Sequence, residues 1–459
     1  MIPKDVSSYQ RYFEEYTEFR MQENSHAGIA MLKGNLVSNS RSSASGVSAR
    51  VFKSGAWGFS SHPDLTEEAA RSVIRVATEN ARFLANSTGR TQERFPLVHA
   101  THQSDFSTPK PRLSQQALVD FVAAIDARIA SAYPALSSRR VSLRCLDMAK
   151  SLITSDGSAA FSLVPRTIMA VVLSAETSTG PVDVFDVWGG LGHFEDVFES
   201  IDELREPLDR LHDHLMAKRE AAYAQAGVTE CVLDADLAGL LAHEAIGHTV
   251  EADFVMGGSV ARDYLGKEVA SPLVTLVDYA HTALGTTCPV PVFVDDEGVP
   301  AQDSVIIDQG ILKAYLHNRE TAQRFGAEPA GNARAYEFSD EPLIRMRNTA
   351  IVPGTSSVDD MISSIDDGYY LLRSANGQAD STSEFMFGIG TGYEIRHGKL
   401  ARAIHDTTIS GVAFDLLKTI TMVSKDMVWA VGGMCGKKQS IPVAMGGPAI
   451  KCTVTIGGR

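Results

Sequence analysis

The feature that most restricts how this chain can fold is a pair of histidines five residues apart in an apolar stretch, His243-Glu244-Ala245-Ile246-Gly247-His248. Leu237, Leu240, Leu241 and Ala242 lead into it and read as one buried helix. Two imidazoles and a carboxylate among leucines are costly unless each finds a partner. A metal ion gives all three a reason to be inside, because neutral imidazole is a favoured zinc ligand. Two satisfied core histidines are the competing reading of the same residues. The spacing adds a geometric condition. Five residues at 3.6 per turn rotate by about 500°, which leaves the rings about 140° apart on an ideal helix. The spacing therefore predicts a distorted helix, and a π-bulge supplies the extra residue. Gly247 is the expected point of conformational freedom.

Two histidines are too few for zinc, which needs a third ligand and an open position if it is catalytic. Cys435, in VGGMCGKKQ, is the candidate, with Gly432, Gly433 and Gly436 allowing close backbone approach. Lys437 and Lys438 are expected to favour its thiolate. An ordinary buried thiol is the alternative. Glu251 and Asp253 follow the motif as a possible fourth ligand, as a support for a histidine tautomer, or as a solvated acidic turn. Glu244, beside the first histidine, is placed to accept a proton from water whose acidity a metal raises. No CxxC pair occurs among the five cysteines, so a disulfide framework is not expected and a reduced, cytoplasmic setting is. The start, MIPKDVSSYQRYFEEY, carries no apolar signal-peptide core, and no apolar run is long enough to span a bilayer. The net charge of −14 argues against a nucleic-acid surface.

A chain of 459 residues exceeds one ordinary core, so two or three domains are expected. Residues 27–60 alternate as strands, with a tight turn at Ser54-Gly55. A helix follows over 65–84 with Thr66 as N-cap, then a proline-bearing loop over 88–112, a helix over 114–132, strands over 141–185 with a turn at Asp156-Gly157, and a charged helix over 199–226 ending at Gly227. Beyond that, short β runs dominate, with hairpins at Gln309-Gly310 and His397-Gly398 and a short helix near 413–424. The expected class is α+β. Residues 1–226 form an N-terminal α+β region with a mixed sheet and long helices, with a possible sub-boundary at 88–112. Residues 227–459 form a mainly-β region around a buried metal-binding helix. The GxGxG at 388–392 has neither the lysine nor the helix of a phosphate loop.

HEAIGHTVEADF, together with GVSARVFKSGAWGFSS, LHNRETAQRFG, RMRNTAIVPG and the terminal CGKKQSIPVAMGGPAIKCTVTIGG, resembles the TldD/PmbA family on its TldD side, in matching order from about residue 16 to 457. The resemblance implies a zinc-dependent peptidase with His243, His248 and Cys435 as ligands and Glu244 as general base. It implies a closed dimer, either with itself or with a related PmbA-like subunit lacking the motif, around a chamber that admits unfolded peptides. Family roles include maturing a modified peptide antibiotic and degrading small antitoxins. Thr249 and Ala252 stand where the family commonly has glycine, which bears on local backbone shape and not on the ligands. His317, Arg319, Arg345 and Asn348 lie in family-like segments as possible substrate contacts, with structural hydrogen bonding as the alternative. Tyr393 or His405 is a candidate oxyanion donor. The rival to an enzyme is a non-catalytic subunit that binds peptide or shapes a chamber around a structural metal. Modulation of a DNA enzyme is a further rival that the acidic charge disfavours.

Overall fold

Strand alternation starts at Tyr16, earlier than the sequence pattern suggests. The computed structural model describes residues 2–88, 95–178 and 180–458. Three antiparallel strands, β1 (Tyr16–Leu32), β2 (Asn35–Lys53) and β3 (Ala56–His62), are joined by two-residue turns. Lys33-Gly34 and Ser54-Gly55 both have positive φ, as a tight hairpin requires. Helix α1 (Glu67–Thr88) follows, capped by Thr66, whose hydroxyl accepts from Ala69 N at 3.2 Å. Helix α2 (Gln115–Ala132) is capped by Ser114 in the same way. With β4 (Thr101–Asp105), strands β5 (Ser138–Thr154), β6 (Ala159–Thr177) and β7 (Gly180–Leu191) complete a sheet with the order β3-β2-β1-β5-β6-β4, β7 pairing with β6.

Two expectations need correcting. The 88–112 segment was expected as loop throughout, yet β4 (Thr101–Asp105) lies within it and pairs in parallel with β6. Its partner begins 58 positions later, at Ala159, so no local pattern announces it. The charged helix of 199–226 is α-helical only over Arg205–Lys218. Past it, Ala222 N donates to Ala403 O and His405 N to Ala222 O, both at 2.9 Å. Tertiary pairing thus takes the backbone groups that a continuing helix would use.

Side chains alternate faces along β1. Phe19, Met21, Ile29 and Met31 point to the helices and join the apolar clusters built with α1 and α2. The opposite face, Glu18, Arg20, Gln22 and Asn24, is polar and also buried, because the C-terminal half covers it. Arg20 donates to Asp340 O at 2.7 Å and Asn24 to Tyr336 O at 2.7 Å. Arg50 on β2 pairs with Glu18 at 2.9 Å and with Glu297. Burial holds the Glu18 carboxyl up at about 7 despite Arg50 beside it. On this face of β1 and β2 the two halves therefore meet through buried, paired charges and hydrogen bonds.

The C-terminal half holds two larger sheets. One runs from Ser304–Asp308 through Leu276–Tyr279 and Asn348–Ile351 to Ala444–Gly447 and Val428–Ala430. In the other, β8 (Gly227–Leu233) lies between Asp367–Ala379 and Ile450–Ile456. Thr407–Val412 and Glu384–Arg396 follow, and the last pairs back onto Asp367–Ala379, so the ring of strands closes. The helix that leaves β8 packs between these sheets, and its Leu237, Leu241, Ala242 and Ile246 are fully buried in the largest core cluster. The turns at Gln309-Gly310 and His397-Gly398 carry the positive φ expected of them. The late helix is shorter than expected, Ala413–Lys418. The fold is mixed α+β, with sheets in both halves.

Candidate metal centre

The helix bearing the motif starts at Ala235, where the Asp234 side chain accepts from Leu237 N at 3.0 Å. Gly239 lets it lie directly on the Ala444–Gly447 strand, since a Cβ there would sit 2.7 Å from Gly446 N. From Leu241 to Gly247 the helix is π, and His248 N donates to His243 O at 3.2 Å, a five-residue step. The wider turn carries His248 back toward His243, and their ring centroids lie 5.2 Å apart with planes at 80°. Gly247 has a different role from the one expected. Its φ is not positive, but a Cβ there would lie 1.9 Å from Met346 Sδ. It makes room for a neighbour rather than permitting an unusual backbone.

Cys435 reaches the same place from a hairpin, Met434–Cys435 against Ile441–Pro442. A ligand atom of His243, of His248 and of Cys435 all lie within 4.8 Å of one another. The Cys435 Sγ to His248 Nε2 distance is 3.3 Å. Both ring nitrogens of His243 are buried without a hydrogen-bond partner. Two imidazoles and a thiol are zinc's preferred donors, and such an ion would satisfy one of the two unpartnered nitrogens of His243. Four of the five thiols behave as ordinary core cysteines. Burial pushes Cys145 up to about 11, Cys288 and Cys452 to about 12, and Cys231 well above its usual value. Burial pushes Cys435 the same way, but the two histidines beside it win and hold it down at about 3. His248 shows the complementary balance: burial lowers it, yet Cys435 and Glu251 hold it up at about 10.

The expectation that Lys437 and Lys438 favour the thiolate gives way to a different arrangement. Lys437 Nζ lies 3.0 Å from Glu251 and 2.7 Å from Asp253, and Lys438 is exposed. Glu251 is fully buried and faces His248 Nδ1 at 3.0 Å, so it stands behind the histidine, leaving Nε2 to face Cys435. Arg345 is also fully buried. Its guanidinium donates to the carbonyls of Cys435 (2.5 Å), Lys437 (3.0 Å) and Gln439 (2.8 Å), which fixes the hairpin loop.

Glu244 is partly exposed, with Oε2 3.9 Å from His248 Nε2. It lines a cleft of about 880 Å³ that also touches Leu240, Gly433 and Met434, next to Cys435. One wall is β7 (Phe185–Gly189) from the N-terminal half, and another is Tyr370–Gly377. Arg373 ties the walls together, 2.5 Å from Asp186 on β7 and 3.3 Å from Asp236 in the first turn of the motif helix. Asp186, Asp236, Arg373 and Trp429 carry no motif, and only long-range packing brings them to the cleft.

The remaining candidates are held elsewhere. Arg319 binds Asp156 and Pro96 O at 2.7 Å, and Tyr16. Asn348 bonds Val290 on both its side-chain atoms, at 2.9 and 2.8 Å. His317 meets Thr321 at 3.1 Å, and burial lowers it to about 4. These three do not line the cleft, and their side chains are used in structural hydrogen bonds. Tyr393 hydrogen-bonds His214 at 2.6 Å, and His405 lies tilted against Tyr223, with ring centroids 4.6 Å apart, in a separate cavity.

Residues 226–458 match the PmbA/TldA metallopeptidase C-terminal domain and residues 17–81 match domain 1 of the same family. A metalloprotease of Methanothermobacter thermautotrophicus is 31% identical over 97% of this chain and 96% of its own length. A zinc metalloprotease TldD homolog of Saccharolobus solfataricus is 30% identical over 63% of this chain and 64% of its own. The crystal structure of TldE from Thermococcus kodakarensis superposes with a TM-score of 0.78 at 16% identity, covering 99% of both chains. A Thermotoga maritima protein described as a candidate modulator of a DNA gyrase gives 0.78 at 20% identity, covering 96% of this chain and 95% of its own; at such identities the likeness is one of fold. The relatives place the chain among proteins named metalloproteases. More narrowly, it belongs to the PmbA/TldD metallopeptidase family. Among the described residues no helix is long and apolar enough to cross a membrane.

Proposed function

We propose that this chain is a zinc-dependent peptidase that hydrolyses unfolded peptides, with His243, His248 and Cys435 holding the metal and Glu244 as general base. The observation that carries the reading is the meeting of three donor side chains, one of them a buried His243 with an unpartnered ring nitrogen, beside a cleft that the adjacent Glu244 and Met434 line. Zinc held there supplies Lewis acidity toward water and toward a carbonyl oxygen. Glu244 takes the proton of the attacking water and returns it to the leaving amine. Glu251 holds the His248 ring so that Nε2 faces the metal, and Arg345 holds the loop that presents the thiolate. The strand Asp367–Ala379 loses regular pairing with Glu384–Arg396 around residues 371–376, where it borders the cleft. An irregular strand bordering the cleft suits the addition of an extended peptide, which gives affinity with little demand on sequence. The family resemblance and the TldE-like fold favour a working dimer, formed with a second copy or with a related PmbA-like subunit, with the cleft opening into a chamber. A cytoplasmic site of action completes the proposal.

The test uses two variants on unfolded peptide mixtures, read by mass spectrometry, with metal analysis in parallel. Glu244→Gln is expected to abolish cleavage and keep zinc near the wild-type content, and retained cleavage removes Glu244 as base. Cys435→Ser is expected to lose zinc, and unchanged content removes Cys435 from the ligand set.

A further inference from the structure

We propose that Lys437 is a positioning residue for the metal centre, because its ammonium joins the loop that carries Cys435 to the turn and short helix that follow His248, and through Glu251 to the His248 ring itself. This rests on the ligand assignment proposed above. The donors come from two segments separated by 187 positions, so something other than chain continuity must align them. Arg345 shapes the Cys435 loop internally, its guanidinium binding carbonyls of the loop itself. Lys437 is the side chain that crosses. Its three N–H donors face three acceptors: Glu251 Oε2 at 3.0 Å, Asp253 at 2.7 Å and Ile344 O at 3.2 Å. Its side chain is only 8% exposed, and the Phe254 ring centroid lies 4.6 Å from its nitrogen.

The same Glu251 oxygen receives Lys437 and faces His248 Nδ1, both at 3.0 Å. A carboxylate buried that deeply needs a fixed cation to stay in place. Remove the lysine, and Glu251 has no anchor on the loop side. The His248 ring then loses its set orientation, and the loop loses its tie to the helix. The linkage Lys437–Glu251–His248 thus holds the donors in register before any ion arrives, and a prearranged site binds metal more tightly than one that must be assembled.

The test is titration of the metal-free, full-length protein with Co²⁺, followed by the thiolate-to-cobalt absorption, and with Zn²⁺ against a competing chelator. Lys437→Met is expected to weaken binding by about 10–100-fold, the usual effect of removing a partner behind a metal ligand. Lys437→Arg, which keeps the cation, is expected to recover most of that loss. Glu251→Gln is expected to weaken binding to a similar degree, and the double variant no further, because both changes cut one linkage. Should Lys437→Met fail to fold, Glu251→Gln and Lys437→Arg still decide the matter. Affinity within about twofold of wild type in Lys437→Met or in Glu251→Gln, while Cys435→Ser loses the cobalt absorption, overturns the role of Lys437 alone. If Cys435→Ser keeps that absorption, the ligand assignment falls and this proposal with it.

Discussion

Gly247→Ala separates two accounts of why a glycine precedes His248. The added methyl carbon would lie 1.9 Å from Met346 Sδ, 3.0 Å from its Cε and 3.3 Å from Ala242 O. A comfortable contact between such atoms is roughly 3.5–4.0 Å, so Met346 must retreat by about 1.5–2 Å. It has little freedom to do so, being fully buried with its carbonyl held by Arg334 at 2.6 Å. Overpacking of this kind costs about 1–3 kcal/mol, and the flexible thioether keeps it from costing more. With an unfolding entropy of roughly 1 kcal/mol per kelvin for 459 residues, Tm falls by only about 1–3 °C, so urea unfolding is the sharper assay. The decisive measurement is a double-mutant cycle with Met346→Ala. Shortening Met346 removes the clash, so the double variant is expected to be more stable than the sum of the single effects by at least about 1 kcal/mol. Additivity to within about 0.5 kcal/mol would refute the clash and return Gly247 to a backbone role.

Two further outcomes follow from the charges. Arg50→Met leaves Glu18 and Glu297 buried without their shared cation and is expected to destabilise the fold by about 3–5 kcal/mol in urea unfolding; a loss under about 1 kcal/mol would show the inter-half network to be inert. In the metal-free protein, the lowered Cys435 contributes stability that is complete above its unfolded value near 9 and is lost as pH falls toward about 3, while the raised His248 contributes stability that is complete below 6.5 and is lost as pH rises through about 10. The pair's contribution therefore climbs with pH up to about 6.5, is level to about 9 and then declines, with a slope near 1.4 kcal/mol per pH unit for one proton. Urea midpoints of metal-free wild type and Cys435→Ser across pH 4–10 check this, and parallel profiles would contradict it.

The features legible in the sequence are those set by neighbours a few positions apart. The Ser54-Gly55, Gln309-Gly310 and His397-Gly398 turns, the Thr66 cap and the π distortion all follow from local rules, the last because five residues cannot close on one face of an α-helix. What was not legible depends on partners far along the chain. Thr101–Asp105 is a strand because β6 receives it, and the helix after Arg205 stops because Ala403 and His405 take the backbone of Ala222. Alternation is read from the sequence only from residue 27, and nothing local tells that the earlier polar face of β1, Glu18 to Asn24, is buried. At the centre, the donor residues stand out by type and spacing, whereas Lys437 looks like a thiolate activator until the structure places Glu251 and Asp253 around it.

On the proposed reading, selectivity for unfolded chains belongs to the walls of the site and not to its metal. Glu244 is reached through a cleft bounded on one side by β7, a strand of the N-terminal half, and on another by Tyr370–Gly377. Arg373 spans from the latter to Asp186 on β7 and to Asp236 on the motif helix, so the width of the cleft is coupled to the helix that carries the histidines. Part of the wider contact between the halves is polar and hydrogen-bonded, where Arg20, Asn24 and Arg50 on β1 and β2 each hold a fixed partner, and such pairs resist sliding because every displaced charge is left unsatisfied. A gap held this way does not widen to admit a folded surface. On that reading it would admit what an irregular strand edge can pair with, an extended backbone, and β7 would bring the N-terminal half into the working site although it supplies none of the proposed ligands.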